Sequence, residues 1–268
     1  MTAAGRGRYY ERRRTMSTER GILMSGWAVG RLLANEKTQT RRPIKRQPTG
    51  YPSFYTRPVS EGRGLFAADG KHKGAGMGTL SLEDGRLELY GAQNFERNGG
   101  LAWQHAGEME HWKSPYGVPG DLLYVREELK KTPNLFSRYA VDGEWVAGSD
   151  TLEHWWKWKR NRLPGRFMPK WAARIWLRIT DVRLEQVQEI SYEDIVAEGC
   201  EVLGPGFVDG EPPSVDAAVA HDVMWDILAQ DKFRDQWDSI YAARGLAYEG
   251  NPWAWVYTFE RIKRKDAE

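Results

Sequence analysis

The sequence predicts an α+β fold: a small mixed β-barrel with flanking helices and an inserted region of hairpins and loops. Three observations predict it. Several separated segments alternate apolar and polar residues as strands do, with few helices between them. The chain closes on "WAWVYTFERI" (253–262), in which Trp253, Trp255, Tyr257 and Phe259 share one face. From Gln47 to about Ser114 the composition turns to Gly, Pro and Ser with short apolar runs, as in "GKHKGAGMGTL", which marks an insertion.

In order along the chain, residues 1–20 lack periodicity and read as a disordered basic arm. Residues 21–25 form a short strand. From Trp27 the spacing is helical, with Val29, Leu32 and Leu33 on one side; the helix ends near Asn35, so "KTQT" lies in the turn beyond it. Pro43 holds Arg42 extended. Within the insertion, 47–114, "TLSLEDGRLELYG" reads as a hairpin turning at Asp84-Gly85. A Pro/Gly turn then leads into a strand over 121–129, and "RYAVDGEWVAG" is a second hairpin turning at Asp142-Gly143. In "RIWLRITDVRLEQV", Ile175, Leu177 and Ile179 alternate with Trp176 and Arg178, a half-buried strand. "ISYEDIVAEGC" reads as a short helix capped by Ser191 and stopped by Gly199. Two amphipathic helices, 215–229 and 232–244, precede the closing strand, and 263–268 are a tail. No internal repeat appears; 21–262 reads as one domain.

Composition narrows the function. The single cysteine, Cys200, rules out an internal disulfide and fits a reducing cytosol. No apolar run approaches the roughly 20 residues of a membrane span, and the N-terminus lacks an apolar signal region. The expectation is a cytoplasmic protein without a membrane partner. The net charge of +2 hides an asymmetry, because residues 1–46 hold twelve Arg or Lys against three Glu. A second basic island, 154–178, has eight cations, no acid and six aromatics. Cations attract phosphates and aromatic faces stack on bases, the mixture that single-stranded nucleic-acid binding requires. The bland alternative is a solvated charged face with its tryptophans turned inward.

Several motifs carry little. Gly74, Gly76 and Gly78 lack the spacing and the following Lys-Ser/Thr of a phosphate loop. His105, Glu108, Glu110 and His111 lack HExxH spacing or a cysteine partner, so a surface loop is favoured over a metal site, and no cofactor is expected. Cys200 has no nearby histidine and reads as a structural thiol. Lys37 and Thr40 differ. A lysine three residues before a threonine at a helix exit can share a cavity with it, and partial desolvation lets a lysine act as a base on a hydroxyl. Taken alone, a turn threonine and a solvated lysine remain the simpler reading. Glu198, at the end of the short acidic helix, would complete such a site if it closes on the same cavity.

Four stretches, in order, "LLANEKTQTRR", "GDLLYVRE", "RIWLRITDVRLEQVQEISYEDIVAEG" and "FRDQWDSIYAARG" with "NPWAWVYTFERI", together resemble the ASCH domain family of the PUA-like superfamily. "LLANEKTQTRR" is similar to its Leu-x-Gly-x-Lys-Thr-x-Thr-x-Arg signature and "GDLLYVRE" to its Gly-Asp-x-Leu-x-Val strand. "RIWLRITDVRLEQVQEISYEDIVAEG" is similar to the next strand and acidic helix. "FRDQWDSIYAARG" with "NPWAWVYTFERI" resembles the closing helix and strand, in the form typical of phage and prophage members. They cover about half the chain, leaving out the arm and the insertion. The resemblance implies a PUA-like barrel whose cleft binds RNA or a modified nucleotide, in the cytoplasm of a bacterial host. One branch, the bacterial acetylcytidine amidohydrolases, removes an acetyl group from cytidine's exocyclic nitrogen with a Lys, a Thr and a Glu. By motif these fall on Lys37, Thr40 and Glu198, and the signature arginine on Arg42. Asn35 stands where the signature has glycine, and Arg41, in place of an apolar residue, adds charge at the mouth.

The expected nucleic-acid contacts are Arg41, Arg42 and Lys45 beside the helix exit and Arg126 in the Gly-Asp strand. The basic island adds Trp158, Lys159, Arg160, Arg166, Lys170 and Trp171. The leading expectation is binding of RNA, another nucleic acid or a modified nucleoside. The alternatives are deacylation of a modified cytidine by Lys37, Thr40 and Glu198, and a phage morphogenesis or host-interaction protein that uses the barrel as a docking surface.

Overall fold

The computed structural model describes residues 17–47, 54–59, 62–67, 76–81, 86–89, 92–97, 100–105, 110–132, 136–147, 156, 159–201 and 215–263; from 54 to 112 and from 215 to 225 it does so by backbone alone. Residues 1–16 of the arm and 264–268 of the tail lie outside the described residues.

Strand β1 (Glu19–Leu23) begins two residues before the expected start. The last residues of the basic arm therefore join the sheet, and the Thr18 N–H donates to Asp121 Oδ1 at 2.9 Å. Helix α1 (Gly26–Leu33) starts at Ser25, whose Oγ accepts the Ala28 N–H, and it buries Val29 and Leu32. It ends on Asn35 at φ 60°. There the Glu36 N–H donates to Arg31 O and the Asn35 N–H to Leu32 O, a left-handed helix stop in which asparagine takes the place of glycine. β2 (Gln39–Pro43) follows at once. Thr40 thus sits in a strand, not in the expected turn, because pairing with the closing strand extends the chain from Gln39 onward.

The insertion holds β3 (Phe54–Val59), β4 (Gly62–Ala67), β5 (Gly76–Ser81), β6 (Arg86–Leu89), β7 (Ala92–Arg97), β8 (Gly100–His105) and β9 (Glu110–Lys113). Strands β3, β4, β5, β6 and β9 form one sheet in that order, and β7 and β8 pair separately. The expected hairpin is β5 with β6, which place Leu80 opposite Leu87; its turn, 82–85, lies outside the described residues.

The strand expected over 121–129 is broken in two, β10 (Leu122–Arg126) and β11 (Leu129–Lys131), which join different sheets. Glu127, at the break, is buried with both carboxylate oxygens 2.9 Å from Arg174. Arg174 also bonds Asp142 at 2.6 Å and stacks on Tyr139. β12 (Ser137–Tyr139) and β13 (Arg162–Leu163) flank β11 in a small sheet. The Asp142-Gly143 turn forms as expected, with Gly143 at φ 76° and a bridge between Arg138 and Trp145.

β14 (Trp176–Gln186), α2 (Tyr192–Ala197), α3 (Val215–Tyr241) and β15 (Trp253–Ile262) complete the chain. The two helices expected at 215–229 and 232–244 are one, α3, followed by a single 3-10 turn at Ala242–Arg244. No Gly or Pro interrupts the polar junction near Asp231 and Lys232, so nothing breaks the hydrogen-bond ladder there.

The main sheet runs β1-β10-β14-β15-β2, with β1 and β10 parallel and the other pairs antiparallel. The fold is thus mixed α+β with few helices. Among the described residues no ladder joins the edge strands β1 and β2, so the strand order is open where a closed barrel was expected. A side chain spans the edges instead: Arg42 Nη2 on β2 donates to Leu23 O on β1 at 2.7 Å. One face of the sheet and α1 enclose the main core, which includes Ile22, Val29, Leu32, Leu123 and the expected Trp253, Trp255, Tyr257 and Phe259. On the other face α2 and α3 pack Ile195, Phe233, Trp237 and Tyr241 against Ala254. Among the described residues no helix is long and apolar enough to cross a membrane.

Candidate functional site

The site forms where the α1 exit, β2, the end of α2 and one side of α3 meet. Lys37, just beyond α1, is 4% exposed, and its ammonium donates to the Glu198 carboxylate at 2.7 Å and to the Glu198 backbone carbonyl at 2.6 Å. The second acceptor is an end carbonyl of α2, where the helix dipole favours a cation. Gly199, the stop of α2, has φ +85°, and a Cβ built on it would lie 3.1 Å from the Cβ atoms of Arg31 and Lys37. Glycine is therefore required there for both backbone and space. Next to it the Thr38 N–H donates to Ala197 O at 2.8 Å, sewing the α1 exit to α2. Burial draws the Lys37 pKa below its ordinary value, although Glu198's charge and hydrogen bond pull the other way.

β2 sorts its side chains by alternation. Gln39 and Arg41 turn toward α2 and β14. Arg41 is buried, donating to Asp194 at 2.6 Å, Glu185 at 2.7 Å and Gln39 Oε1 at 2.6 Å, with Glu198 Oε1 at 3.5 Å. Arg183 from β14 pairs with the same Glu185 and Asp194. Lys37, Arg41 and Arg183 thus meet three carboxylates, those of Glu185, Asp194 and Glu198. Burial raises the Asp194 pKa, but the opposing effect of Arg41 and Arg183 wins and holds it below the ordinary aspartate value. Arg41 does not add free charge at the mouth, as its position in the signature had suggested; its partners absorb it.

Thr40 and Arg42 project from the other side of β2. Together with Lys37, Glu198 and part of Arg41 they line a recess of about 440 Å³, its open mouth included. Met24, Ser25 and Ala28 form the α1 side. Phe233, Trp237 and Tyr241 form the α3 side, with Trp237 and Tyr241 ring centroids 4.5 Å apart. The Thr40 hydroxyl has no hydrogen-bond partner among the described residues. Trp27, 38% exposed, has the Lys37 ammonium 5.9 Å from its ring centroid. Cys200 is buried behind the site, its thiol donating to Gln236 and pushed up to about 12 by burial, which suits a structural thiol.

The remaining sequence-derived contacts lie apart from the recess. Lys45 is exposed beyond β2. Arg126 is half-buried, donating to Gly165 O at 3.3 Å. In the island, Lys170 pairs with Glu19, Arg162 with Glu128, Arg178 with Glu260, and Arg174 with Glu127. Lys159, Arg160 and Arg166 are exposed with no acidic partner among the described residues. Trp156 and Trp171 are half-buried against the cluster of Leu129, Tyr139 and Trp176, so the described tryptophans of the island serve packing. Trp158 lies outside the described residues, as do the side chains of His105, Glu108, Glu110 and His111. Among the described residues no group of His, Cys, Asp or Glu is arranged to hold a metal ion.

Sequence reasoning brought Lys37, Thr40, Arg42 and Glu198 forward, but it missed the aromatic wall of Phe233, Trp237 and Tyr241. Their spacing at i, i+4 and i+8 marks one helical face, a signal that names no partner for that face. It missed the half-buried acids Glu185 and Asp194 as partners of Arg41 as well. Comparison with protein-family models, with curated proteins and with solved structures finds no match to this chain.

Proposed function

We propose that the chain binds single-stranded nucleic acid, RNA in the first instance, or a modified nucleotide, and seats one nucleotide in the recess beside Lys37. One observation carries this reading. Lys37, Thr40 and Arg42, from one short segment, meet Glu198 in a solvent-reachable recess walled by Trp237 and Tyr241. It combines donors for polar base edges or phosphate with aromatic surface. On this reading the fold is a PUA-like barrel of the ASCH type. The left-handed Asn35 supports that, since asparagine is the side chain best able to replace the glycine of the signature. The exposed Lys159, Arg160 and Arg166 supply backbone contacts outside the recess.

The test is fluorescence anisotropy of a labelled twelve-nucleotide single-stranded RNA with the full chain across a salt series. Binding should weaken with a log-log slope of about 0.7 per phosphate contact. Absent or salt-independent binding overturns the proposal.

A second reading, amide hydrolysis, is favoured by the unbonded Thr40 hydroxyl beside a lysine whose pKa burial lowers. Thr40 Oγ would attack the acyl carbon of an acylated cytidine as Lys37, in the neutral amine form that burial favours, takes its proton. The amine would leave with a proton, and water would then cleave the threonyl ester. Wild type should release free cytidine from acetylcytidine, and Lys37→Ala and Thr40→Ala should not. No turnover with any acylated nucleoside rejects this reading.

A further inference from the structure

Arg42 is the one cation lining the recess that has no carboxylate partner among the described residues. Lys37 has Glu198, while Arg41 has Glu185 and Asp194. Arg42 bonds only neutral groups: Nη1 donates to the Tyr241 hydroxyl at 3.3 Å, and Nη2 to Leu23 O at 2.7 Å and Met24 Sδ at 3.1 Å. Its Nε–H is shielded from solvent and has no partner among the described residues. A guanidinium carries five N–H donors and cannot lose its charge. Part of that capacity is unused, and a half-buried guanidinium without a counter-ion is placed to donate a charge-assisted hydrogen bond to an anion. Two residues earlier on the same face of β2, the Thr40 hydroxyl is also unbonded and lines the same space. An unbalanced arginine and a free hydroxyl, held by rigid strand backbone, make an anion site.

We propose that Arg42 and Thr40 form a subsite for a singly charged phosphate, the internal diester of a nucleic-acid strand, so that the recess takes a nucleotide by its backbone as well as its base. This rests on the nucleotide reading above and deepens it. The charge balance selects the diester over a terminal phosphate monoester. Only one positive charge is uncompensated, and the Glu198 carboxylate on the recess wall repels a second negative charge.

The test compares three probes by calorimetry on the full chain: cytidine, cytidine monophosphate and the dinucleoside monophosphate CpC. Diethyl phosphate serves as the anion alone, read by thermal shift. CpC should bind tightest, and Arg42→Gln should weaken it by about tenfold or more, the usual loss of a charge-assisted hydrogen bond, and clearly more than it weakens cytidine. Tyr241→Phe, which keeps the ring and removes a neutral partner of Arg42, should weaken CpC far less than Arg42→Gln does. Thr40→Val should weaken CpC less than Arg42→Gln does, and it keeps the question open to test if Arg42→Gln fails to fold. Tighter binding of the monoester than of CpC overturns the subsite. So does equal affinity of cytidine and CpC with no effect of either variant, although the nucleotide reading then stands. If no nucleotide binds but diethyl phosphate stabilises wild type and not the Arg42 or Thr40 variant, the subsite stands and the nucleotide reading falls.

Discussion

Replacing Glu198 by Gln removes the counter-charge of a lysine that has little access to water. The two side chains are 2% and 5% exposed and 2.7 Å apart. Breaking a buried pair by removing one partner typically costs about 3–5 kcal/mol, because the other charge stays buried. Glutamine keeps an acceptor, and the Glu198 backbone carbonyl would still take one Lys37 proton, so the lower end, about 3 kcal/mol at pH 6, is expected. The cost must also depend on pH. Burial already lowers the Lys37 pKa from 10.5, and losing Glu198 removes the largest opposing effect. Between the folded-state pKa and 10.5 the unfolded chain holds more protons than the folded one, so stability of the variant rises with pH in that window. Below the folded pKa both states are protonated, and stability is level. Urea unfolding followed by tryptophan fluorescence at pH 6, 7.5 and 9 measures this. The variant should recover toward wild type at pH 9, and Lys37→Met with Glu198→Leu should be less destabilised than Glu198→Gln alone. A loss below about 1 kcal/mol at pH 6, or the same loss at pH 6 and 9, would refute a buried, charge-coupled pair.

Two further outcomes follow from the same neighbourhood. Gly199→Ala places a Cβ against Lys37 in left-handed backbone and should cost about 1–3 kcal/mol, with weaker ligand binding where Gly250→Ala, which meets open space, changes neither. Asp194's folded pKa lies below its ordinary 3.8, so its contribution to stability is present above that value and lost as pH falls through the folded pKa. Acid titration of Asp194→Asn should therefore show a shallower fall below about pH 4 than wild type; identical curves would show that the Arg41–Arg183 cluster does not set acid stability.

Local features were legible in the sequence where local chemistry decides them. The Ser191 cap, the Gly199 stop, α1 and β15 depend on neighbours within a few residues, and each appears as expected. What distant pairing decides was not legible. Arg41 looked like a surface cation because its partners Glu185 and Asp194 lie 144 and 153 residues away. The apolar run after Asp121 looked like one strand, yet the chain turns out of the main sheet at Glu127, whose buried carboxylate is held by Arg174, 47 residues on. The site divides the same way. Lys37, Thr40 and Glu198 could be named from motifs, but nothing near Phe233 or Trp237 in sequence says that α3 closes the recess over them.

The most direct test of the central claim is photo-crosslinking of a short single-stranded RNA to the full chain, followed by mapping of the modified peptides. Adducts on Trp237, Tyr241 or Phe233, lost on addition of excess unlabelled RNA and reduced in Arg42→Gln, are the predicted result. Adducts confined to the exposed Lys159–Arg166 region, with none in the peptides that line the recess, would contradict it.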